Sequence, residues 1–235
     1  MILLSINPKK IFDILLSIFI VLFIMNWVSV LLYHHLGYTK GVFFYLDSIF
    51  NFGKERNVPT YFNALLFIFS AQSFLLIKLL NDQNAIPSHI RKYWLFISLL
   101  FLFLGADELM EVHEMFIYFT TVVLKQELTG YLTFAWIIPY SLIAFTFFLF
   151  SIRFLLFLPK KFSIAYILCG FTYILGAVGV EMIEAKIYDA SAGERTAEFF
   201  VYATIEESLE MLSLIVFFYY NLLYINASIE SKSQQ

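Results

Sequence analysis

Six apolar stretches, each close to the ~20 residues needed to cross a bilayer, divide this 235-residue chain. They fall near 11–33, 61–80, 93–122, 132–157, 163–187 and 198–225. A chain in hydrocarbon has no water for its N–H and C=O groups, so its backbone must satisfy itself, as an α-helix does. The expected fold is all-α: an integral membrane helical bundle of about six transmembrane helices, forming one multi-pass domain over 1–235. Polar or helix-breaking separators lie between the stretches, with Pro59, Pro87 and Pro159 among them. Residues 226–235 read as a short, disordered cytoplasmic tail. The chain is 61% hydrophobic with a mean hydropathy of +0.80, too apolar for a soluble domain.

The same counts exclude several functions. A net charge of −3 with no basic stripe argues against nucleic acid as a partner. The single cysteine, Cys169, permits neither an internal disulfide nor a thiolate metal cage. The opening MILLSINPKK and its long apolar continuation resemble a retained signal anchor, since no small-x-small cleavage site follows. If the N-terminus is cytoplasmic, nine Lys and Arg residues fall on the inner side and six on the outer. That bias favours both termini inside, in what reads as the cytoplasmic (inner) membrane of a bacterium.

Against this apolar background, nine of the eighteen acidic residues form clusters within three of the stretches. They are Asp107, Glu108, Glu111 and Glu114 with His113, then Glu181 and Glu184, then Glu206, Glu207 and Glu210. No Lys or Arg is interspersed. An ionised group in lipid costs at least ~2.5–3.5 kcal/mol, so such residues face a protein interior and mark function. At 1.5 Å per residue, Asp107 lies about 21 Å and His113 about 30 Å from the inner side, and Glu181 about 27 Å. Glu206 and Glu210 lie about 12 and 18 Å from the outer side. Three segments thus carry acids at overlapping depth in the outer half, which implies one shared polar site.

If the third segment is a continuous helix, Asp107, Glu111 and Glu114 form one stripe and Glu108 flanks it. E-x-x-E occurs four times, at 108/111, 111/114, 181/184 and 207/210. Carboxylates three or four apart can hold one cation between them. The Glu-x-x-His of di-iron bundles is missing, and the His113-Glu114 pair lacks the second histidine of the metalloprotease motif. Oxygen-dominated ligation suits Mg²⁺, Ca²⁺ or Mn²⁺, while one imidazole keeps Fe²⁺ or Zn²⁺ open. No Gly-rich phosphate loop or organic-cofactor motif is present. His34 and His35 read as interfacial, and Gly170, Gly176 and Gly179 as sites of close helix packing.

Four motifs then define a likeness: ERNVPTYF at 55–62, DELMEVHE at 107–114, GAVGVEMIEA at 176–185 and EESLEM at 206–211. Together they resemble those of an uncharacterised family of bacterial multi-pass membrane proteins, from about residue 55 onward. The family pattern pairs an outer-loop ExNxPT with an intramembrane DExxxxHE and a closing EExxEM. The resemblance implies no biochemical activity. It carries over Glu55, Asn57, Asp107, Glu108, His113, Glu114, Glu181, Glu206, Glu207 and Glu210, and sets Glu111 and Glu184 at variable places. Gly105 stands where the pattern has Ser. It also implies that the Glu55 and Asn57 loop caps the site from outside.

The expected metal ligands are Asp107, Glu108, His113, Glu114, Glu181, Glu206, Glu207 and Glu210, with His113 and Glu114 as candidate catalytic groups. A divalent cation held for transport or for catalysis as a Lewis acid is the first function these residues support. Against transport, the sequence shows no broken helix or inverted repeat. An integral-membrane enzyme acting on a lipid or quinone by acid–base chemistry is the second reading. A proton-coupled carrier and a structural role for the acids stand beside it. Whether the chain is monomeric or dimeric is not written in these features.

Overall fold

The computed structural model describes residues 7–81 and 86–233, and no β-strand occurs among them. In chain order the helices are α1 (Pro8–Val30), α2 (Val42–Phe50), α3 (Val58–Asn81), α4 (Ser88–Met110), α5 (Met115–Tyr118), α6 (Ile137–Phe157), α7 (Lys160–Ile174), α8 (Glu181–Ala190) and α9 (Ala197–Ser233). Wider π-helical turns extend α1 (Leu31–His35) and follow α5 (Phe119–Val123), and another joins α7 to α8 (Leu175–Val180). Six helical stretches are long and apolar enough to cross a membrane: Pro8–His35, Val58–Asn81, Ser88–Met110, Ile137–Phe157, Lys160–Ala190 and Ala197–Glu230. Their outward faces are greasy. On α6 alone, Leu142, Ile143, Phe145, Phe148, Leu149, Phe150 and Leu156 are exposed, an apolar belt that soluble monomers rarely show.

α9 is the axis of the bundle, packed against α1, α3, α7, the 175–180 turn and α8. Without water to expel, helices in lipid associate through shape and internal hydrogen bonds. Three buried polar crosslinks run along α9. Asn26 of α1 donates to Thr204 at 2.8 Å and accepts from the Phe52 backbone. Asn63 of α3 donates to Glu210. Asn221 donates to Ser73 of α3 and accepts from the Tyr166 hydroxyl of α7, each at 2.8 Å. Around the last of these, Phe74, Ile77, Trp94, Phe154, Phe162 and Phe217 form the largest apolar core. α6 stands apart, burying only Ile137, Ser151 and Phe154.

The third stretch differs from the continuous helix expected over 93–122. α4 stops at Met110, where Glu111 adopts a left-handed conformation with φ 53°, costing an L-residue roughly 1–2 kcal/mol. Residues 111–114 form a turn, so the stripe Asp107–Glu111–Glu114 does not exist. The reading that no helix is broken is corrected at the same place. The fifth stretch bends through its π turn and reaches Ala190. The last helix continues through Ser233 where a disordered end is expected, and residues 234–235 lie outside the described part. His34 is also more than interfacial: with Lys54 and Asn51 it surrounds Asp47, which is wholly buried, and so ties α2 to α1.

Of the three glycines expected to allow close packing, Gly176 does so between helices. A Cβ there would meet the Glu206 carbonyl at 3.0 Å and Leu209 Cβ at 3.2 Å. Gly179 meets only Leu175 of its own turn, and Gly170 meets nothing within 4 Å. Gly176→Leu is expected to cost about 1–3 kcal/mol by overpacking and to push α9 off the 175–180 turn. Gly170→Leu is expected to leave thermal unfolding in detergent unchanged, and the pair of melting curves checks both.

Candidate functional site

α9 presents Glu206, Glu207 and Glu210 within little more than one turn, and Gly176 lets that turn approach the start of α8. Glu181 and Glu184, one turn apart on α8, meet it there. Ligand oxygens of Glu181, Glu184 and Glu206 all lie within 4.8 Å of one another. Glu206 is in electrostatic contact with both partners, and Trp136 adjoins Glu181. Glu184 is 2% exposed, and its Oε1 has no hydrogen-bond partner. Carboxylates at this spacing repel unless a cation or shared protons lie between them. Three oxygen donors from adjacent turns fit a hard divalent ion.

A second group lies beside the trio, where α3, α4 and α9 meet. The buried Asn63 amide donates to Glu108 Oε1 at 3.1 Å and to Glu210 Oε2 at 3.2 Å. Tyr173 of α7 also adjoins Glu210. Glu207 adjoins Glu108 and Glu210 electrostatically, and its Oε2 is buried without a partner.

The broken end of α4 builds the third part. Asp107 Oδ1 accepts from the His113 backbone N–H at 2.8 Å and lies 3.3 Å from His113 Nδ1. The Tyr140 hydroxyl of α6 donates to Asp107 Oδ2 at 2.8 Å. Asp107 therefore holds His113 through Oδ1 and is itself held by Tyr140 through Oδ2, and the His113 ring packs edge-on to Trp136. Burial opposes a charge on His113, but the Asp107 hydrogen bond and charge outweigh it. With Glu55 and Glu114 adding, its pKa is raised above the usual histidine value.

The 51–57 loop closes over this region. Asn57 accepts from Thr60 N–H at 3.0 Å and donates to the Asn51 and Lys54 carbonyls, so it caps α3 and folds the loop. Arg56, itself left-handed at φ 57°, meets Glu111 through Nε–Oε1 at 2.6 Å and Nη2–Oε2 at 2.9 Å. The cluster at 107–114 thus gains a basic partner from another part of the chain, which the sequence reading lacks. Glu55 is exposed as a residue, yet its carboxyl group is crowded by protein. That burial pushes its pKa up to about 7, with Glu111, Glu114 and Glu181 adding and His113 opposing.

The expected residues accordingly fall into separate settings. Glu181 and Glu206 join the trio, Glu108, Glu207 and Glu210 the Asn63 group, and Asp107 and His113 the dyad. Glu114 lies near His113 and Glu55, and Asn57 serves the loop. Sequence reasoning left Glu184 out of the ligand set and passed over Asn63 and Tyr140. The E-x-x-E spacing with Glu181 marks Glu184. An amide and a phenol on apolar helices carry no comparable mark.

The fold and these buried carboxylates define a helical membrane protein with an acid-rich site inside its bundle. The chain belongs to the family described as Domain of unknown function (DUF8692), which it matches over residues 15–224. No curated protein and no solved structure matches it.

Glu55 ties stability to pH. Its pKa rises from an ordinary 4.5 to about 7 in the folded protein. Across that interval the folded state holds more protons at Glu55 than the unfolded state, so stability falls as pH rises and levels off above about 7. Glu55→Gln is expected to melt with the parent below pH 4.5 and a few degrees above it at pH 8. Thermal scans over that range check the sign.

Proposed function

We propose that the protein binds a divalent cation at the carboxylates between α8 and α9, for transport or for catalysis. The observation that carries this reading is the trio Glu181, Glu184 and Glu206, with ligand atoms within 4.8 Å from two helices and a buried, unpartnered oxygen on Glu184. All-oxygen donors favour Mg²⁺, Mn²⁺ or Ca²⁺ over softer metals. A bound ion would supply Lewis acidity or be the cargo itself. His113, held by Asp107 through Nδ1, keeps its other ring nitrogen to accept or donate a proton near the trio. The 51–57 loop covers that end of the bundle. By the distribution of Lys and Arg this is the outer face of a bacterial inner membrane, with both termini cytoplasmic.

A specific feature favours a second reading, an enzyme acting on a lipid or quinone-like substrate. α4 and α6 are joined by Asp107–Tyr140 at one end and by Tyr93 stacked on Phe154 at the other. Between them runs an apolar groove of about 400 Å³ lined by Phe96, Leu100, Leu142, Ile143, Thr146, Phe147 and Phe150. Its lining on α6 begins at Leu142, two residues after Tyr140. Under this reading a long-chain substrate lies along the groove with its head beside His113.

Elemental mass spectrometry on detergent-purified protein tests the first reading. The parent is expected to hold stoichiometric metal, and Glu184→Gln/Glu206→Gln to lose it. Removing a ligand weakens binding by more than the about 10–100-fold that outer-shell partners contribute. A parent free of metal after equilibration with Mg²⁺, Mn²⁺ and Ca²⁺ overturns the reading. Retained metal with bound lipid lost in Ile143→Trp would favour the second.

A further inference from the structure

The ten residues between Glu114 and Lys125 carry no charge and form one short helical piece, α5 and the π turn after it. Met115, Tyr118, Phe119, Val122, Val123 and Leu124 are between 47% and 66% exposed, although α4 has already ended. The two polar side chains of the piece make no demand on water. Thr120 donates to the Phe116 and Ile117 carbonyls at 2.9 Å, and Thr121 to the Ile117 carbonyl at 2.8 Å. We propose that residues 115–124 lie within the lipid leaflet at this end of the bundle, an interfacial anchor with its side chains among the acyl chains. By the distribution of Lys and Arg this is the outer leaflet.

Two contacts set the depth of the piece. Ile117 packs against the cluster of Trp136, Ile137 and Ala185, and the Phe116 ring meets Tyr140 edge-on at 6.0 Å. Ile137 begins α6, so the piece is level with the first turn of that span rather than beyond it. With 23 residues, α4 is about 35 Å long and covers the ~30 Å hydrocarbon core by itself. Continued straight, it would carry 115–124 out into water. The turn at Glu111, held by Arg56, diverts the chain instead. Lys125 and Glu127 follow at once, with Tyr131 beyond them, the charged and aromatic flank of a membrane boundary. The occupant is a fluid one. Exposed apolar side chains stand at consecutive positions, 118 with 119 and 122 through 124, and so on most sides of the piece. A rigid partner covers one face of a helix, whereas acyl chains cover all of them. The anchor also holds His113, two residues ahead of Met115, near the level of the lipid headgroups. None of this depends on a bound ion.

The test is spin-label accessibility in vesicles of phosphatidylcholine and phosphatidylglycerol, on the full-length protein carrying Cys169→Ala. Labels are attached singly through Phe119→Cys and Val122→Cys. Phe148→Cys, exposed on α6, is the lipid reference, and Gln126→Cys, exposed after the π turn, is the water reference. Each variant is first confirmed as folded by its melting curve. Labels at 119 and 122 are expected to relax faster with oxygen, which concentrates among acyl chains, than with a water-soluble nickel chelate. That order matches position 148 and is reversed at 126. Nickel outweighing oxygen at 119 and 122 overturns the proposal, because the segment then stands in water. Protection from both reagents overturns it as well, and spin–spin broadening would then name a second copy of this chain as the cover.

Discussion

Hydrocarbon offers no partner to a carboxylate, and every acid this chain carries into its spans must find one inside the bundle. That requirement organises the structure around α9. Its three acids need oxygen- or nitrogen-bearing neighbours within a turn or two, and α3, α7 and α8 each deliver one: Asn63, Tyr173 and the Glu181–Glu184 pair. Each neighbour arrives only if its helix lies close to α9, and packing supplies the closeness. Gly176 removes the side chain that would hold the 175–180 turn away. Small polar residues lock the remaining contacts, with Asn26 on Thr204 near one end and Asn221 on Ser73 near the other. Such bonds are individually modest in membranes, about 0.6 kcal/mol on average, so their use here is to set which faces meet.

The loop over the site obeys the same logic in a wetter setting. Asn57, Arg56 and Asp47 draw residues 51–57 inward by three independent ties: to the loop's own carbonyls, to Glu111 and to Lys54. Two residues of this region, Arg56 and Glu111, sit in left-handed backbone conformations. They are also the two partners of one bidentate ion pair. The strain on each side is held by the contact between them, and Glu55 is thereby kept facing His113.

Much of the architecture is legible in the sequence because a bilayer is a strict solvent. A run of about twenty apolar residues has one structural answer, so the six helices follow from length and hydropathy. Shared depth of Glu181 and Glu206 follows from rise per residue, since both lie on helices that continue past them. The same arithmetic fails at Glu111. Nothing in the local pattern of DELMEVHE ends a helix, and the break depends on Arg56, some fifty residues away, and on Asp107 turning back to the His113 backbone. Glu184 looks variable in a motif and is the most buried member of the trio. Asn63 is one polar residue in an apolar helix, and only the approach of α4 and α9 shows what it faces.

The π turn at Leu175–Val180 gives the site an unusual dependence on register. An α-helix advances 100° per residue, and a π turn lodges one extra residue without interrupting the helix. Everything after it is rotated in phase relative to α7. The face that α7 turns toward α9, with Tyr166 and Tyr173, and the face that carries Glu181 and Glu184 are thus aligned by a single surplus residue. A chain one residue shorter in this stretch would keep its hydropathy, its length across the bilayer and all nine acids. It would also swing the α8 carboxylates about a quarter turn away from Glu206. The reading frame of that helix, as much as the identity of its acids, is what the cluster inherits.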